Sequence, residues 1–293
     1  AGEQPTVGTL LSVARPGQRL ANGAPMIDWL ALYAQDDKGY DNLCALVSAA
    51  HLGRPVEQEP HVLLSDIAGK TDGLICLTGG GEGALARLLA GEQKSAAEDY
   101  VEQLEALFGG RLYIELSRRG DQAEKAAEDA LIEMAYARAL PIVATNPANF
   151  VEPQFHPAHD AMLCIAQSAY VESEDRRVSS PEAWLKPAEA MEDSFSDLPE
   201  AIRNTLVVAQ RCAFMAPKRK PILPSLAGDR EGEAAQLKQD AHAGLVARLA
   251  HYPEMPDDER QAYVVRLAFE VDVIIQMGFP GYFLIVQDFI NWG

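Results

Sequence analysis

The sequence predicts an α/β fold in its first half and a mainly helical second part. Up to about residue 170, short continuous apolar runs bounded by glycine or proline alternate with amphipathic stretches of helical period. Beyond that point only the helical periodicity continues. The alternation is typical of a mostly parallel sheet, which is either open or closed into a barrel.

Five apolar runs predict the strands, and the amphipathic stretches between them predict helices. The predicted strands cover residues 6–13, 26–33, 73–78, 111–116 and 141–145. Predicted helices cover residues 38–52, 82–90, 95–108 and 121–140. Ser95 and Glu98 have capping-box spacing, as do Asp121 and Glu124, so each pair is expected to bond the free amides at a helix start.

The second part begins with a polar stretch, residues 170–187, that predicts a linker. Helices follow over residues 198–213, 230–251 and 257–277, whereas three prolines exclude a regular helix at 216–226. The turn Gly278-Phe-Pro-Gly281 then starts a very apolar helix. Because such a helix needs a partner surface, we expect the chain to be a piece of a larger protein.

The composition indicates a soluble, cytoplasmic protein, because no apolar run is long enough to span a bilayer and no leader pattern is present. The four cysteines have apolar neighbours and predict buried free thiols: Cys44, Cys76, Cys164 and Cys212. The net charge of −18 makes most of the chain repel a polyanion. Phosphate contact is expected only at Lys218-Arg219-Lys220, where a solvated loop is the competing interpretation.

Active groups gather at the carboxyl ends of parallel strands, so three loops are candidate sites. They are residues 78–82, 115–121 and 146–149. The first, Thr78-Gly-Gly-Gly-Glu82, could be a phosphate cradle, but it matches no known phosphate motif. Because Glu82 would also repel phosphate, a tight strand-to-helix turn is the favoured interpretation.

His156, His159 and Asp160 could ligate a metal, although the same residues fit the start of a helix, which we favour. The remaining histidines are isolated, and no serine-hydrolase or H-E-x-x-H pattern occurs. The carboxylates of Glu192, Asp193 and Asp197 do not define paired-acid chemistry. The residue pattern therefore assigns no catalytic, cofactor-binding or metal-binding residue.

Six segments occur together in one order along the chain. They are Gly39-Tyr-x-Asn-Leu43, Gly73-Leu-Ile-Cys-Leu-Thr-Gly-Gly80, Leu140-Pro-Ile-Val-Ala-Thr-Asn146, Ala158-His-Asp-Ala-Met-Leu-Cys-Ile165, Asp197-Leu-Pro-Glu-Ala-Ile-x-Asn-Thr205 and Met277-Gly-Phe-Pro-Gly-Tyr-Phe-Leu-Ile-Val286. This joint pattern resembles the alpha subunit of bacterial DNA polymerase III, a C-family replicative polymerase, and the resemblance covers essentially the whole chain.

The resemblance implies two domains. Residues 1–178 would form most of a PHP domain, a distorted (β/α)7 barrel without its opening part, and residues 179–293 a linker and the helical start of the polymerase palm. The full-length chain would be a DNA-directed DNA polymerase that uses Mg²⁺ held by palm aspartates outside these residues. The piece alone is then expected to be inactive.

The resemblance also implies partners. A proofreading exonuclease subunit would dock on the PHP domain, while the sliding clamp, other holoenzyme subunits and primer–template DNA would bind through regions outside the chain. No membrane is implied.

The chain departs from the metal-binding pattern of active PHP domains. Leu10 replaces a glutamate, Arg119 replaces a histidine, and Asn146-Pro147-Ala148-Asn149 replaces Asn-Asp-x-His. Leucine and proline side chains have no lone pair, and arginine brings a positive charge. The resemblance therefore predicts a metal-free scaffold. A PHP-type metal-dependent phosphoesterase or exonuclease and a non-catalytic interaction module remain alternatives.

Overall fold

Among the residues that the structure describes, a five-stranded sheet organises the first of two structural units, Ala1–Pro217, and three helices belong to the second, Lys218–Gly293. The computed structural model describes residues 4–174, 176–219 and 223–293. The strands are β1 (Gly8–Arg19), β2 (Pro25–Ala34), β3 (Leu74–Leu77), β4 (Leu112–Leu116) and β5 (Ile142–Ala144). All five predicted strands are therefore present.

The sheet is mixed rather than mostly parallel, so that part of the prediction is wrong. The strand order is β1-β2-β3-β4-β5, with antiparallel pairing of β1 to β2 and β2 to β3 and parallel pairing thereafter. The cause is a hairpin: Leu20 N donates to Ala24 O at 2.9 Å, and Gly23 adopts φ +82°. The strands other than β2 still run in one direction, and the carboxyl ends of β3, β4 and β5 share an edge.

Eight α-helices surround the sheet within the described part of the first unit. They are α1 (Asp37–Leu52), α2 (Leu64–Ile67), α3 (Ala84–Ala90), α4 (Lys94–Phe108), α5 (Gln122–Ala137), α6 (His156–Gln167), α7 (Ala188–Ser194) and α8 (Pro199–Arg211). The short helices α2 and α7 have no counterpart in the sequence prediction, because one or two turns show no clear periodicity.

The two predicted helix caps have different outcomes. Asp121 caps α5 by accepting a hydrogen bond from Glu124 N at 3.0 Å. The Glu124 carboxylate accepts from Ser117 instead of from the helix start, so only the Asp121 half of that predicted pair is confirmed. Ser95, in contrast, lies inside α4, whose N-cap is Gln93 and has no side-chain cap bond. The predicted capping box at residues 95–98 is therefore wrong, because the helix begins one residue before the serine.

Apolar side chains cover both faces of the sheet. The larger cluster packs the helices α1 and α3–α5 against residues such as Leu30, Leu74 and Ile114. On the other face, Val208 of α8 and Cys212 pack with Tyr113 and its neighbours. Because α8 joins this core, the first unit extends beyond residue 178, and the predicted domain boundary there stays a prediction.

Three of the four cysteines are buried, as predicted, but Cys44 is exposed on the outer face of α1. The prediction of four buried thiols is therefore wrong at that position. Residues 170–187 are also not a free linker. Their carboxyl-terminal part bonds to the loop after β5, as the 2.8 Å bond from Asn149 N to Ala183 O shows.

The second unit contains α9 (Arg230–Leu249), α10 (Asp257–Met277) and α11 (Pro280–Trp292), each close to its predicted bounds. Leu237, Val271 and Leu284 form the buried cluster among the described residues of this unit. No single described helix has the length and apolar content to cross a membrane. Among the described helices, only α10 and α11 taken together have the required length and apolar content, and that pair is bent by 116°.

Candidate functional site

The carboxyl ends of β3, β4 and β5 bring the three candidate loops together. Gly79 N donates to Glu115 Oε2 at 2.9 Å, and Thr145 Oγ1 donates to Glu115 Oε1 at 2.7 Å. The Glu115 amide donates to Thr78 Oγ1 at 3.0 Å. One carboxylate thus connects the loop after β3 and the end of β5 to the end of β4, so the three candidate loops lie at the same edge.

The loop after β3 is a tight turn that requires glycine. Gly79 has φ +85°, and a Cβ atom there would lie 2.1 Å from Trp29 O. The Gly79 amide is bonded to Glu115 rather than free for a ligand. This geometry agrees with the favoured interpretation of a strand-to-helix turn and does not support a phosphate cradle.

Two buried carboxylates lie at this edge, and each has donors from the protein. Burial raises the pKa of Glu115, hydrogen bonds from Thr145 and Gly79 lower it, and the charge of Glu124 raises it again. Glu124 accepts bonds from Ser117 N at 3.1 Å and Ser117 Oγ at 2.8 Å. Both carboxylates therefore have protein partners and hold the loops in place, and neither is left unpaired for a cation.

Arg119 projects its positive charge into the same edge. Its Nη2 lies 3.2 Å from Glu82 Oε1, and its Nη1 donates to Pro147 O at 3.4 Å. The side chain is only 14% exposed. The guanidinium thus bridges the loops after β3 and β5 at the position where the family resemblance implies a histidine.

A pocket of about 360 Å³ opens beside Arg119. Its walls include Glu82, Arg119, Asn149, His159, Ser179 and Ser180. The volume lies at the lower end of the range of small-molecule sites. The pocket has arginine, imidazole, hydroxyl and amide groups around it, and so it can accommodate a polar occupant.

Other protein groups bond His156, His159 and Asp160. Asp160 receives two bonds from Arg176, at 2.6 and 2.9 Å, and these lower its pKa. His156 Nε2 lies 2.9 Å from Ser179 O, and His159 Nδ1 lies 2.9 Å from Ser179 Oγ. Helix α6 begins at His156, in agreement with the favoured interpretation of a helix start.

The remaining predicted positions also lack metal-ligand geometry. Across residues 4–174, 176–219 and 223–293, no group of three or more histidine, cysteine, aspartate or glutamate residues is arranged to hold a metal. Leu10 pairs with Ala31 in the sheet, level with Leu77 near the carboxyl end of β3. Its side chain is 57% exposed and brings no donor to this edge.

The charged segments named in the sequence analysis lie in different structural environments. Lys218 and Arg219 lie in a stretch without helix or strand, and Lys220 lies outside the described residues. Asp197 receives two bonds from Arg118, at 2.6 and 2.8 Å, while Glu192 and Asp193 are exposed on α7. A phosphate contact at the basic segment stays a prediction.

The sequence reasoning missed one buried charge cluster. Asp28, 1% exposed on β2, receives two 2.7 Å bonds from Arg15 and one 2.9 Å bond from Arg87. The available signal was a single carboxylate inside the otherwise apolar run 26–33, since a buried charge is stable only with partners. The cluster joins β1, β2 and α3 and is structural.

Two protein families match separate parts of the chain. The PHP domain family matches residues 1–119, and the family described as "Bacterial DNA polymerase III alpha NTPase domain" matches residues 235–293. The chain thus contains a PHP domain in its sheet-forming half and a polymerase-subunit segment that covers α10 and α11.

Individual relatives match the chain along its whole length or most of it. The protein named "DNA polymerase III subunit alpha" from Caulobacter vibrioides is 44% identical over 100% of this chain and 26% of its own length. Those of Rickettsia bellii and Pseudomonas aeruginosa are 34% and 35% identical, over 99% and 90% of this chain. The chain is therefore homologous to the bacterial DNA polymerase III alpha subunits, and it spans about a quarter of the length of these relatives.

Proposed function

We propose that the chain is the amino-terminal region of a replicative DNA polymerase subunit and that it acts there as a scaffold. The observation that carries this proposal is the match of the whole chain to DNA polymerase III alpha subunits. In the full-length protein, template-directed nucleotidyl transfer would use Mg²⁺ bound outside these residues. The chain by itself would then be inactive in primer extension, and the full-length protein would act in the cytoplasm.

The PHP domain would be an incomplete, distorted (β/α)7 barrel over residues 1–178, and the later helices would lead into the palm. The common direction of β3, β4 and β5 supports a barrel-like arrangement, because it places their carboxyl ends at one edge. The match of residues 235–293 to the polymerase-subunit family supports the second assignment.

The sheet edge formed by the carboxyl ends of β3, β4 and β5, here called the PHP edge, would have lost the metal site of active PHP domains. The residues present do not fit a metal cluster: Leu10 and Pro147 offer no side-chain donor, and Arg119 places a guanidinium beside Glu82 at 3.2 Å. Glu115 and Glu124 are already bonded by loop donors. A positive side chain among satisfied carboxylates opposes cation binding by direct repulsion.

A domain that keeps its fold but lacks this chemistry is suited to docking. We assign a proofreading exonuclease subunit to the PHP domain, and the sliding clamp, other holoenzyme subunits and primer–template DNA to regions outside the chain. The support is homology to a polymerase III subunit, whose name denotes a multi-subunit assembly.

Two assays test this proposal. The full-length protein should extend a primed template with Mg²⁺, whereas the 293-residue chain should not. In a pull-down, the 293-residue chain should retain the exonuclease subunit of the same replisome, with the sliding clamp as a control for nonspecific retention. Primer extension by the short chain would contradict the placement of the chemistry, and failure to retain the exonuclease would contradict the docking role.

The alternative of a PHP phosphoesterase is tested separately. Incubation of the 293-residue chain with Mn²⁺ and a phosphomonoester or single-stranded DNA should release no product above a metal-free control. Steady turnover that chelator abolishes would favour the phosphoesterase instead.

A further inference from the structure

Residues 176–186 form a distinct segment, here called the strap, that lies against α6 and the loops after β4 and β5. Apart from the isolated bridge of Trp184 to Phe150, the described strap residues belong to no helix or strand. The strap is nevertheless held at several points along its length. Its contacts are predominantly polar, which distinguishes it from the apolar core of the same unit.

Helix α6 anchors the first half of the strap. Arg176 and Asp160 form a two-bond ion pair at 2.6 and 2.9 Å, with side chains 9% and 12% exposed. Ser179 contacts two imidazoles, since its carbonyl faces His156 Nε2 and its hydroxyl faces His159 Nδ1, each at 2.9 Å. The residues that resembled a metal cluster in the sequence therefore position the strap.

The loop after β5 anchors the second half. Asn146 Nδ2 donates to Trp184 O, and Asn146 Oδ1 accepts from Lys186 N, both at 3.2 Å. Asn149 N donates to Ala183 O at 2.8 Å. In this chain, the loop that would carry metal ligands in an active relative is used to hold the strap.

The strap also forms one wall of the pocket at the sheet edge. Ser179 and Ser180 line the pocket across from Arg119, and the Ser180 hydroxyl donates to the Arg119 carbonyl oxygen. With the strap in place, the Arg119 side chain is 14% exposed. The position of the strap therefore sets how much solvent or ligand reaches the guanidinium.

The strap is much less buried than the sheet, which indicates that the strap can open while the sheet stays folded. Every residue of β3, β4 and β5 is buried, whereas Ala183 alone is buried among the described strap residues. Segments with few buried apolar contacts open at lower free energy than the core around them. We propose that the strap is a gate that opens as one unit and controls access to the pocket beside Arg119. This proposal does not depend on the polymerase assignment.

Hydrogen exchange with Asn146→Ala tests the gate in the 293-residue chain. The variant removes two bonds to the strap, so amide exchange over residues 183–186 should rise about tenfold while β3–β5 stay protected. Phenylglyoxal should also modify Arg119 faster, as read by mass spectrometry. Asn204→Ala is the matched control, because Asn204 on α8 donates to Ile142 O of β5 at 2.7 Å and does not contact the strap.

The alternatives give different results. Unchanged exchange in the strap, or equal acceleration in Asn204→Ala, would contradict the anchoring role of Asn146. Uniform acceleration across the whole unit would contradict a separable gate. Faster strap exchange with unchanged Arg119 modification would contradict control of access. Should Asn146→Ala fail to fold, Ser180→Ala carries the same test, and failure of both variants to fold would also overturn the proposal.

Discussion

The guanidinium of Arg119 lies 3.2 Å from the carboxylate of Glu82, at the edge where β3 and β4 end. Arg119 therefore places a positive charge from the protein itself at this edge, where a bound cation would otherwise bring one. Burial raises the pKa of Glu115, and the charge of Arg119 offsets part of that rise. Arg119 thus stabilises two carboxylates at a site without metal-ligand geometry.

A double-mutant cycle measures this interaction. Arg119→Gln and Glu82→Gln should each lower the free energy of unfolding, with a coupling of about 0.5 to 1 kcal/mol because the pair is partly exposed. Urea unfolding of the two single variants and the double variant gives the value. A coupling energy of zero would show that the Arg119–Glu82 contact does not contribute to stability.

The Asp28 cluster should be much more sensitive to mutation. Asp28→Asn leaves the guanidinium of Arg15, 6% exposed, without its charged partner, so we expect a loss of about 3 kcal/mol in unfolding free energy. Glu105→Gln is the matched control, because the Arg138–Glu105 pair is 29% exposed at both side chains. That variant should lose about 0.5 kcal/mol. Equal losses in both variants would contradict the assignment of a buried cluster.

The two predicted caps provide a second comparison. Asp121→Ala removes the bond to Glu124 N and should cost about 1 kcal/mol. Ser95→Ala should change stability by less than about 0.5 kcal/mol, because Ser95 lies within α4 and alanine is a good helix former. Thermal unfolding of both variants measures the difference. A larger loss of stability in Ser95→Ala would support the predicted capping box at residues 95–98 and contradict the cap geometry of the structure.

Glu115 should make stability depend on pH. Its folded pKa is raised, so its contribution is fully present below its unfolded pKa of about 4.3 and is lost as pH rises through the folded pKa. The isosteric Glu115→Gln lacks this loss. The stability of Glu115→Gln relative to the unchanged chain should therefore increase as pH rises through that window, as denaturant unfolding at several pH values would show. A difference that stays constant with pH would exclude this titration.

The local pattern of the sequence predicted most elements and the position of the candidate edge. Continuous apolar runs identified all five strands, because buried strands need apolar residues on both faces. The loops after β3, β4 and β5 were candidates because active groups gather where parallel strands end, and Gly79, Glu115 and Thr145 are bonded together at that edge. The role of Asp121 followed from its spacing to Glu124.

Interactions between distant residues could not be predicted in the same way. The antiparallel pairing of β1 and β2 depends on the Asn22-Gly23 turn, a signal that was present but outweighed by the α/β rhythm. The strap contacts, such as Asn146 with Trp184, join residues 38 positions apart. They leave no periodicity in the chain, so a polar stretch of this kind has the same sequence pattern as a linker.

We expect the sheet edge where β3, β4 and β5 end to bind no metal and to be structural. Elemental analysis of the purified 293-residue chain, by inductively coupled plasma mass spectrometry after dialysis against zinc and manganese, tests it most directly. Arg119→His is a useful companion, because Leu10 and Pro147 would still lack donors. We predict far less than one metal ion per chain in both proteins. One or more zinc or manganese ions bound stoichiometrically to the unchanged chain would contradict a metal-free edge.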